Sequence, residues 1–379
     1  VTSYLLRSGQ FLEGLTRWRR FGAAFLAGAI SALGFAPFHA FALFLLGVAV
    51  LVLLLDGANA GPRPMRSSAI TGWAFGFGQF VVGMHWIFYP FLVDPVEHAW
   101  QIPFVALLFP GGLALFPMLA ALLAAFWWKP GASRIFAVAA LYAATEWLRG
   151  HVLTGLPWNL PAYTWGASLQ VLQSAALLGA YGLSFLTILL GASLADLFAK
   201  PPRARPAGAM VALFLLIWFG GEIRLIETPL DMVAGVNLRI VQPNIPQDEK
   251  YRRDLVTRNW QRLVALTTRN TNRLPTIIIW PEAAPPVLLQ SSPEALGQIA
   301  QLTGPGRVLI TGNQRLALDS ARRRVVYNSL YVFGPGGRLL STYDKFHLVP
   351  FGEYLPLEPT MRRAGVTKLV GFPGSFAAG

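Results

Sequence analysis

Apolar residues dominate the first two hundred positions of this chain and then give way to shorter, alternating stretches. Runs suited to helical membrane spans fall at roughly 21–37, 40–55, 68–90, 102–128, 135–149, 168–198 and 207–221. Gly and Pro interrupt several of them, so their ends are soft. From about residue 236 the pattern turns β-rich, with NLRIVQPN (237–244), TIIIWPE (276–282), RVLITGN (307–313), VVYNSLYVF (325–333) and RLLSTYDK (338–345) each predicted as a strand. Between the first two, residues 250–269 predict a helix, with Leu255, Trp260, Leu263 and Leu266 at helical spacing. GPGG at 334–337 predicts a hairpin between the last two strands. The expected architecture is an α-helical polytopic membrane domain of about seven spans over residues 1–221. It is followed, over residues 222–379, by an α/β domain with a mixed sheet and helices on its faces.

Composition supports the division. Of 379 residues 54% are hydrophobic and only 13% charged, against about a quarter charged in ordinary soluble domains. The deficit is confined to residues 1–221, which hold 12 Lys/Arg and 6 Asp/Glu, whereas residues 222–379 hold 19 and 12. Arg7, Arg17, Arg19, Arg20, Arg63, Arg66, Lys129, Arg134, Lys200, Arg203 and Arg205 all fall on one side of the expected spans; the opposite loops carry Arg149 alone. The positive-inside rule then predicts a cytoplasmic N-terminus and an extracytoplasmic second domain. The net charge of +13 largely reflects that topology, so no nucleic-acid partner is expected. The chain contains no cysteine, which excludes disulfides, thiolate metal sites and a Cys nucleophile within these residues. Five scattered His without an HExxH pattern give no metal site, and the absence of GxGxxG and GxxxxGK[ST] gives no nucleotide cofactor.

Two stretches carry candidate chemistry. Trp280-Pro281-Glu282 ends an apolar strand, where a carboxylate is placed to act as a general base; a solvent-exposed Glu in a Pro-rich turn is the plainer alternative. In YDKFHLVPFGEYLP (343–356) Lys345 stands among Phe346, Leu348, Val349 and Phe351. A lysine so placed suits oxyanion stabilisation, though a surface ion pair between Lys345 and Glu353 would read the same way.

Together with QPNIPQ (242–247), WPEAAPP (280–286) and YNSLYVFGPGG (327–337), these stretches resemble the nitrilase superfamily. Fused to a multi-span body that contains EWLRG (146–150) and TGLPWNLPAY (154–163), the chain resembles the apolipoprotein N-acyltransferase family. The resemblance implies a nitrilase-like sandwich, incomplete here, for the second domain. It implies Glu282 as general base, Lys345 as stabiliser of the tetrahedral intermediate and Glu353 as a second essential carboxylate. Tyr251 stands where the family often has an aromatic lid, Asn328 becomes a structural or substrate partner near the site, and Glu146, with Gln79 and His85, a candidate lining of an entrance from the membrane. Trp86, Trp127, Trp128 and Trp147 read as interface anchors. The implied partners are a phospholipid acyl donor, a diacylglyceryl apolipoprotein acceptor and the bilayer of a bacterial inner membrane, with no cofactor. The implied chemistry is a ping-pong transfer through a thioester.

One expected part is missing. The family's nucleophilic Cys would lie some fifty residues beyond the lysine, so the expectation is of a chain that stops inside its catalytic domain and is inactive as it stands. The competing expectations are a nitrilase-like amidase and a non-catalytic membrane protein that binds lipid or lipoprotein.

Overall fold

A computed structural model describes residues 2–92, 95–129, 131–199, 201–228, 231–246, 249–250, 252–269, 274–318, 322, 324–350, 352–355, 357–363 and 376–379. The chain divides into two units, Val1–Pro229 and Leu230–Gly379.

Unit 1 is helical among the described residues. Its main helices are α1 (Thr2–Gly14), α2 (Arg17–Ser31), α3 (Phe41–Asn59), α4 (Pro64–Gly83), α5 (Ile102–Leu113), α6 (Leu115–Phe126), α7 (Ala132–Arg149), α8 (Ala175–Leu194) and α9 (Ala204–Glu227). Each predicted run overlaps one or more of these helices. Four stretches are long and apolar enough to cross a membrane: Phe41–Asn59, Ala99–Phe126, Ala175–Phe198 and Ala204–Glu227. Pro110 sits inside α5, and Gly179 (φ 66°) interrupts α8, so the fourth and sixth runs are broken rather than smooth helices. Helix α1 was not foreseen, because Arg7, Gln10 and Glu13 interrupt its apolar positions.

Apolar helices gain little from the hydrophobic effect against one another inside a bilayer, so close packing of small residues holds them. A Cβ on Gly28 of α2 would lie 1.9 Å from the Phe75 carbonyl of α4, and one on Gly78 of α4 would lie 2.1 Å from the Phe25 carbonyl of α2. Backbone approaches this close tolerate no side chain. Gly28→Val is therefore expected to separate α2 from α4 and to lower the thermal unfolding midpoint in detergent by several degrees, whereas Gly208→Val, with open space around it, should leave it nearly unchanged. Buried polar groups add directional ties. Arg134 of α7 bonds Asp56 of α3 at 2.9 Å and Asp196, just beyond α8, at 2.8 Å. The Trp128 indole also donates to Asp56, at 3.1 Å; it thus serves as an internal donor, unlike Trp127 and Trp147, which are 63% and 51% exposed.

Unit 2 is built on a five-stranded sheet in sequence order: β1 (Leu238–Ile240), β2 (Ile277–Ile279), β3 (Val308–Leu318), β4 (Arg324–Phe333) and β5 (Leu339–Asp344). β1, β2 and β3 are parallel; β3, β4 and β5 are antiparallel, giving the expected mixed sheet. Parallel neighbours require crossovers, and α10 (Val256–Thr268) and α11 (Pro293–Leu302) supply them. Between β4 and β5 the GPGG turn places Gly336 and Gly337 at φ 70° and 76°, a region glycine enters without strain. The first two strands are shorter than predicted. Neither extends to Pro243 or Pro281, whose nitrogens cannot donate to a ladder.

One face of the sheet packs on the two helices: Trp260, Leu263, Ile299 and Leu302 meet Val241, Ile278, Trp280, Leu309, Tyr331 and Phe333. Trp280 is the anchor of this core. It meets Trp260 edge to face at 5.8 Å, and its indole donates to the Thr267 hydroxyl at 2.8 Å. The residue before Pro281-Glu282 is thereby fixed from the helix side.

Candidate active site

Three chain segments converge at the end of the open sheet face. Glu282 leaves β2 in a turn in which Ala283 has a φ of 47°. Asn328 lies on β4, and Lys345 follows β5. The Lys345 N–H donates to the Asn328 carbonyl at 2.8 Å, so the ladder itself sets those two residues side by side. The turn carrying Glu282 approaches β3 at Gly312, where a Cβ would fall 2.7 Å from Ala283 N and 2.8 Å from Glu282 Cα. The next residue, Asn313, is buried and ties down the following loop. Its amide oxygen accepts from Leu289 N at 3.0 Å and its nitrogen donates to the Val287 carbonyl at 2.9 Å.

Asn328 is the hub. Its Nδ2 donates to Glu282 Oε1 at 2.6 Å and to Glu353 Oε1 at 2.8 Å, spending both amide protons on two carboxylates. Lys345 Nζ lies 3.0 Å from Glu353 Oε1 and 3.9 Å from Glu282 Oε1. Glu353 Oε2 accepts from Val349 N at 2.8 Å. Two carboxylates thus surround one ammonium, with unequal exposure: the Glu353 side chain is 11% exposed and that of Glu282 is 68%. The first is a fixed internal counter-charge, and the second is open to an incoming group.

Below this cluster a clamp holds the strands. Arg315 of β3 makes two bonds to Asp344, at 2.9 and 2.5 Å, and its guanidinium lies 4.5 Å from the Tyr327 ring centre. The Ser329 hydroxyl also donates to Asp344, at 2.6 Å. Asp344 and Ser329 flank Lys345 and Asn328 in sequence, so the clamp fixes both neighbours. Beside Glu282, the residues Gln242, Pro243, Asn244, Ile245, Lys250, Pro281 and Ala284 line a shallow cavity of about 190 Å³. It opens at the carboxyl ends of β1 and β2, where parallel sheets commonly receive ligands. Burial lowers the Lys250 ammonium from its ordinary value, against the opposing pull of the Glu282 charge.

Arg315 lowers the Asp344 carboxyl through its hydrogen bonds, helped by Ser329. Burial pushes Glu353 upward, but the Val349 N–H, the Asn328 amide and Lys345 together outweigh it, and the net shift is downward. Both folded values lie below the ordinary 3.8 and 4.5. The stabilisation is therefore complete above the ordinary values and is lost as pH falls through the lowered ones. Urea unfolding of unit 2, followed by tryptophan fluorescence, should show a midpoint that is steady near neutrality and falls below about pH 4.5. Glu353→Gln should flatten part of that fall.

Of the residues singled out from sequence, Glu282, Lys345, Glu353 and Asn328 are brought together. Tyr251 lies outside the described residues. Glu146 lies in unit 1, 2% exposed, with Arg149 bonding its two oxygens at 3.1 and 2.5 Å. Arg149 also donates to the Leu156 carbonyl, so the pair pins the segment after α7. Gln79 is buried and accepts from the Tyr142 hydroxyl at 3.1 Å, and the exposed His85 ring contacts the Val82 carbonyl at 2.9 Å. Sequence reasoning missed Gly312, Asn313, Lys250 and the Arg315–Asp344 clamp. Only TGN after an apolar strand offered any signal for the first two.

Residues 27–193 match the family described as apolipoprotein N-acyltransferase N-terminal domain. Among curated proteins, the apolipoprotein N-acyltransferase of Rhodopseudomonas palustris is 40% identical over 376 residues, covering 96% of this chain and 70% of that protein. Those of Bradyrhizobium diazoefficiens and Brucella suis are 42% and 39% identical, each over 96% of this chain and over 70% and 71% of the relative.

Proposed function

This chain belongs to the apolipoprotein N-acyltransferase family, and on that footing we propose that its second unit carries the acid–base and oxyanion part of a membrane acyl-transfer site. The donor is a phospholipid and the acceptor the α-amine of a diacylglyceryl-cysteine on an apolipoprotein. The observation that carries the assignment is the Asn328 hub, which holds one exposed and one buried carboxylate around a single lysine.

In the first half-reaction a thiol from outside these 379 residues loses its proton to Glu282 and attacks the donor ester carbonyl. The Lys345 ammonium stabilises the tetrahedral oxyanion, the ester C–O bond breaks, and the lysophospholipid leaves with the proton from Glu282. In the second half the acceptor amine attacks the thioester, Glu282 takes the amine proton, and the thiolate departs. Glu353 anchors Lys345 through both halves, and Asn328 keeps Glu282 beside it. Tyr251 provides an aromatic contact for the acyl chain, and Glu146 stiffens the wall of the membrane unit. With the seven spans expected from the apolar runs and their basic loops in the cytoplasm, unit 2 would lie on the periplasmic side of the inner membrane, on the same side as both lipid-anchored substrates.

A chimera in which these residues replace the matched 376 residues of the Rhodopseudomonas palustris protein tests the assignment. In vesicles of phosphatidylethanolamine and phosphatidylglycerol it should N-acylate a synthetic diacylglyceryl-cysteine peptide, read by mass spectrometry. The 379 residues alone, having no thiol, should form no acyl-thioester under the same conditions. A folded chimera that leaves the peptide unacylated overturns the assignment and favours a lipid-binding, non-catalytic role.

A further inference from the structure

Helix α1 precedes the family-matched residues 27–193 and has a face for which the acyl-transfer chemistry has no use. Its inward residues Leu5, Leu6, Gly9, Leu12 and Glu13 follow helical spacing and are buried or half-buried. They seat it across two helix ends. A Cβ on Gly9 would lie 2.6 Å from the Phe198 carbonyl, four residues past α8, and one on Gly57, near the end of α3, would lie 1.9 Å from the Glu13 carbonyl. The segments that follow those two ends carry Arg63, Arg66, Arg203 and Arg205. Helix α1 therefore crosses the basic end of the helical body.

The outward stripe has a different character. Tyr4 and Phe11, two turns apart, are 74% and 67% exposed, and Trp18, just inside α2, is 81% exposed. Arg7, Arg17 and Arg19 are exposed among them. Large aromatics with interspersed arginines are what a helix lying in the membrane–water boundary presents: rings at headgroup depth and guanidinium groups on phosphates. Arg20 adds a second observation. Its side chain is buried, yet its Nε has no hydrogen-bond partner among the described residues, an unsatisfied donor suited to an anion. We propose that α1 and the start of α2 form an interfacial anchor that binds anionic phospholipid headgroups at the basic end of the helical body. This rests on the membrane character of unit 1 and is independent of the acyl-transfer chemistry of unit 2.

Because the chain contains no cysteine, spin labels can be placed singly on the 379-residue protein by Tyr4→Cys or Phe11→Cys, both at exposed sites. Leu216→Cys, on the exposed flank of α9, gives a reference inside the hydrocarbon. In nanodiscs of phosphatidylcholine and phosphatidylglycerol in equal parts, the labels at positions 4 and 11 should show an oxygen-to-nickel-chelate accessibility ratio severalfold above that of free label in water and below that of Leu216→Cys. Phosphatidylcholine alone should lower the ratio, and Arg7→Gln with Arg19→Gln should abolish the difference between the two lipids. Labels as open to the chelate as free label in both lipids would overturn the proposal. So would dipolar broadening between labels at position 11, which would make a second copy the occupant of this face.

Discussion

Glu282→Gln in the thiol-bearing chimera is expected to slow acyl-thioester formation by about 10²–10⁴-fold, the usual contribution of a positioned general base, without loss of folding. Gln keeps an Oε1 that can accept from Asn328 Nδ2, as Glu282 does at 2.6 Å, so geometry survives while basicity does not. Lys345→Met should cost about 10²–10³-fold through lost oxyanion stabilisation. It leaves Glu353 still bonded by Asn328 at 2.8 Å and by Val349 N at 2.8 Å. Single-turnover measurement with radiolabelled phospholipid separates this step from the later amine attack. The double variant should be slower than either single one by much less than the product of their effects, because the two groups act on one transition state. Wild-type thioester formation by Glu282→Gln would remove Glu282 from the chemistry.

The second large effect is expected at Gly312, which touches no substrate in the proposed mechanism. Its missing side chain is what lets the Glu282–Ala283 turn lie against β3. The atoms a Cβ would meet, at 2.7 and 2.8 Å, are backbone and cannot swing aside. Gly312→Ala is therefore expected to destabilise unit 2 by about 1–3 kcal/mol, in the range of overpacking, and to reduce acyl transfer further by shifting Glu282 from Asn328. Gly297→Ala is the control. Gly297 lies inside α11 with nothing within 4 Å of an added Cβ, and the change should be neutral or stabilising by up to about 1 kcal/mol. Equal unfolding midpoints for the two variants would show that the turn has slack. A Gly312→Ala protein that keeps its activity but loses stability would separate packing from positioning.

Legibility followed the range of the interactions. Membrane helices are encoded by long apolar runs, because every backbone polar group in a bilayer must be satisfied within its own segment. Each predicted run accordingly overlaps a helix. Strands with a run such as TIIIW or VVYNSLYVF, and a hairpin with GPGG, are likewise local signals, and the mixed sheet followed from them. Glu282, Lys345 and Glu353 were singled out from short stretches around them, and the fold brings them together although the first two are 63 positions apart.

What the sequence could not determine is what depends on two distant backbones meeting. Asn328 as a bridge between two carboxylates, Gly312 as the floor under a turn and Arg315 as the brace for Asp344 exist only once β3, β4 and β5 are in register. The same holds for Glu146. On its own it was one intramembrane carboxylate available to a substrate, and only the folded helix, with Arg149 one turn on, shows both oxygens already taken. Composition and periodicity determined that this is a membrane protein with a second, α/β unit, because burial acts residue by residue along the chain. The tertiary structure decided which polar groups remain open, because hydrogen-bond satisfaction is a property of neighbours that sequence spacing does not place.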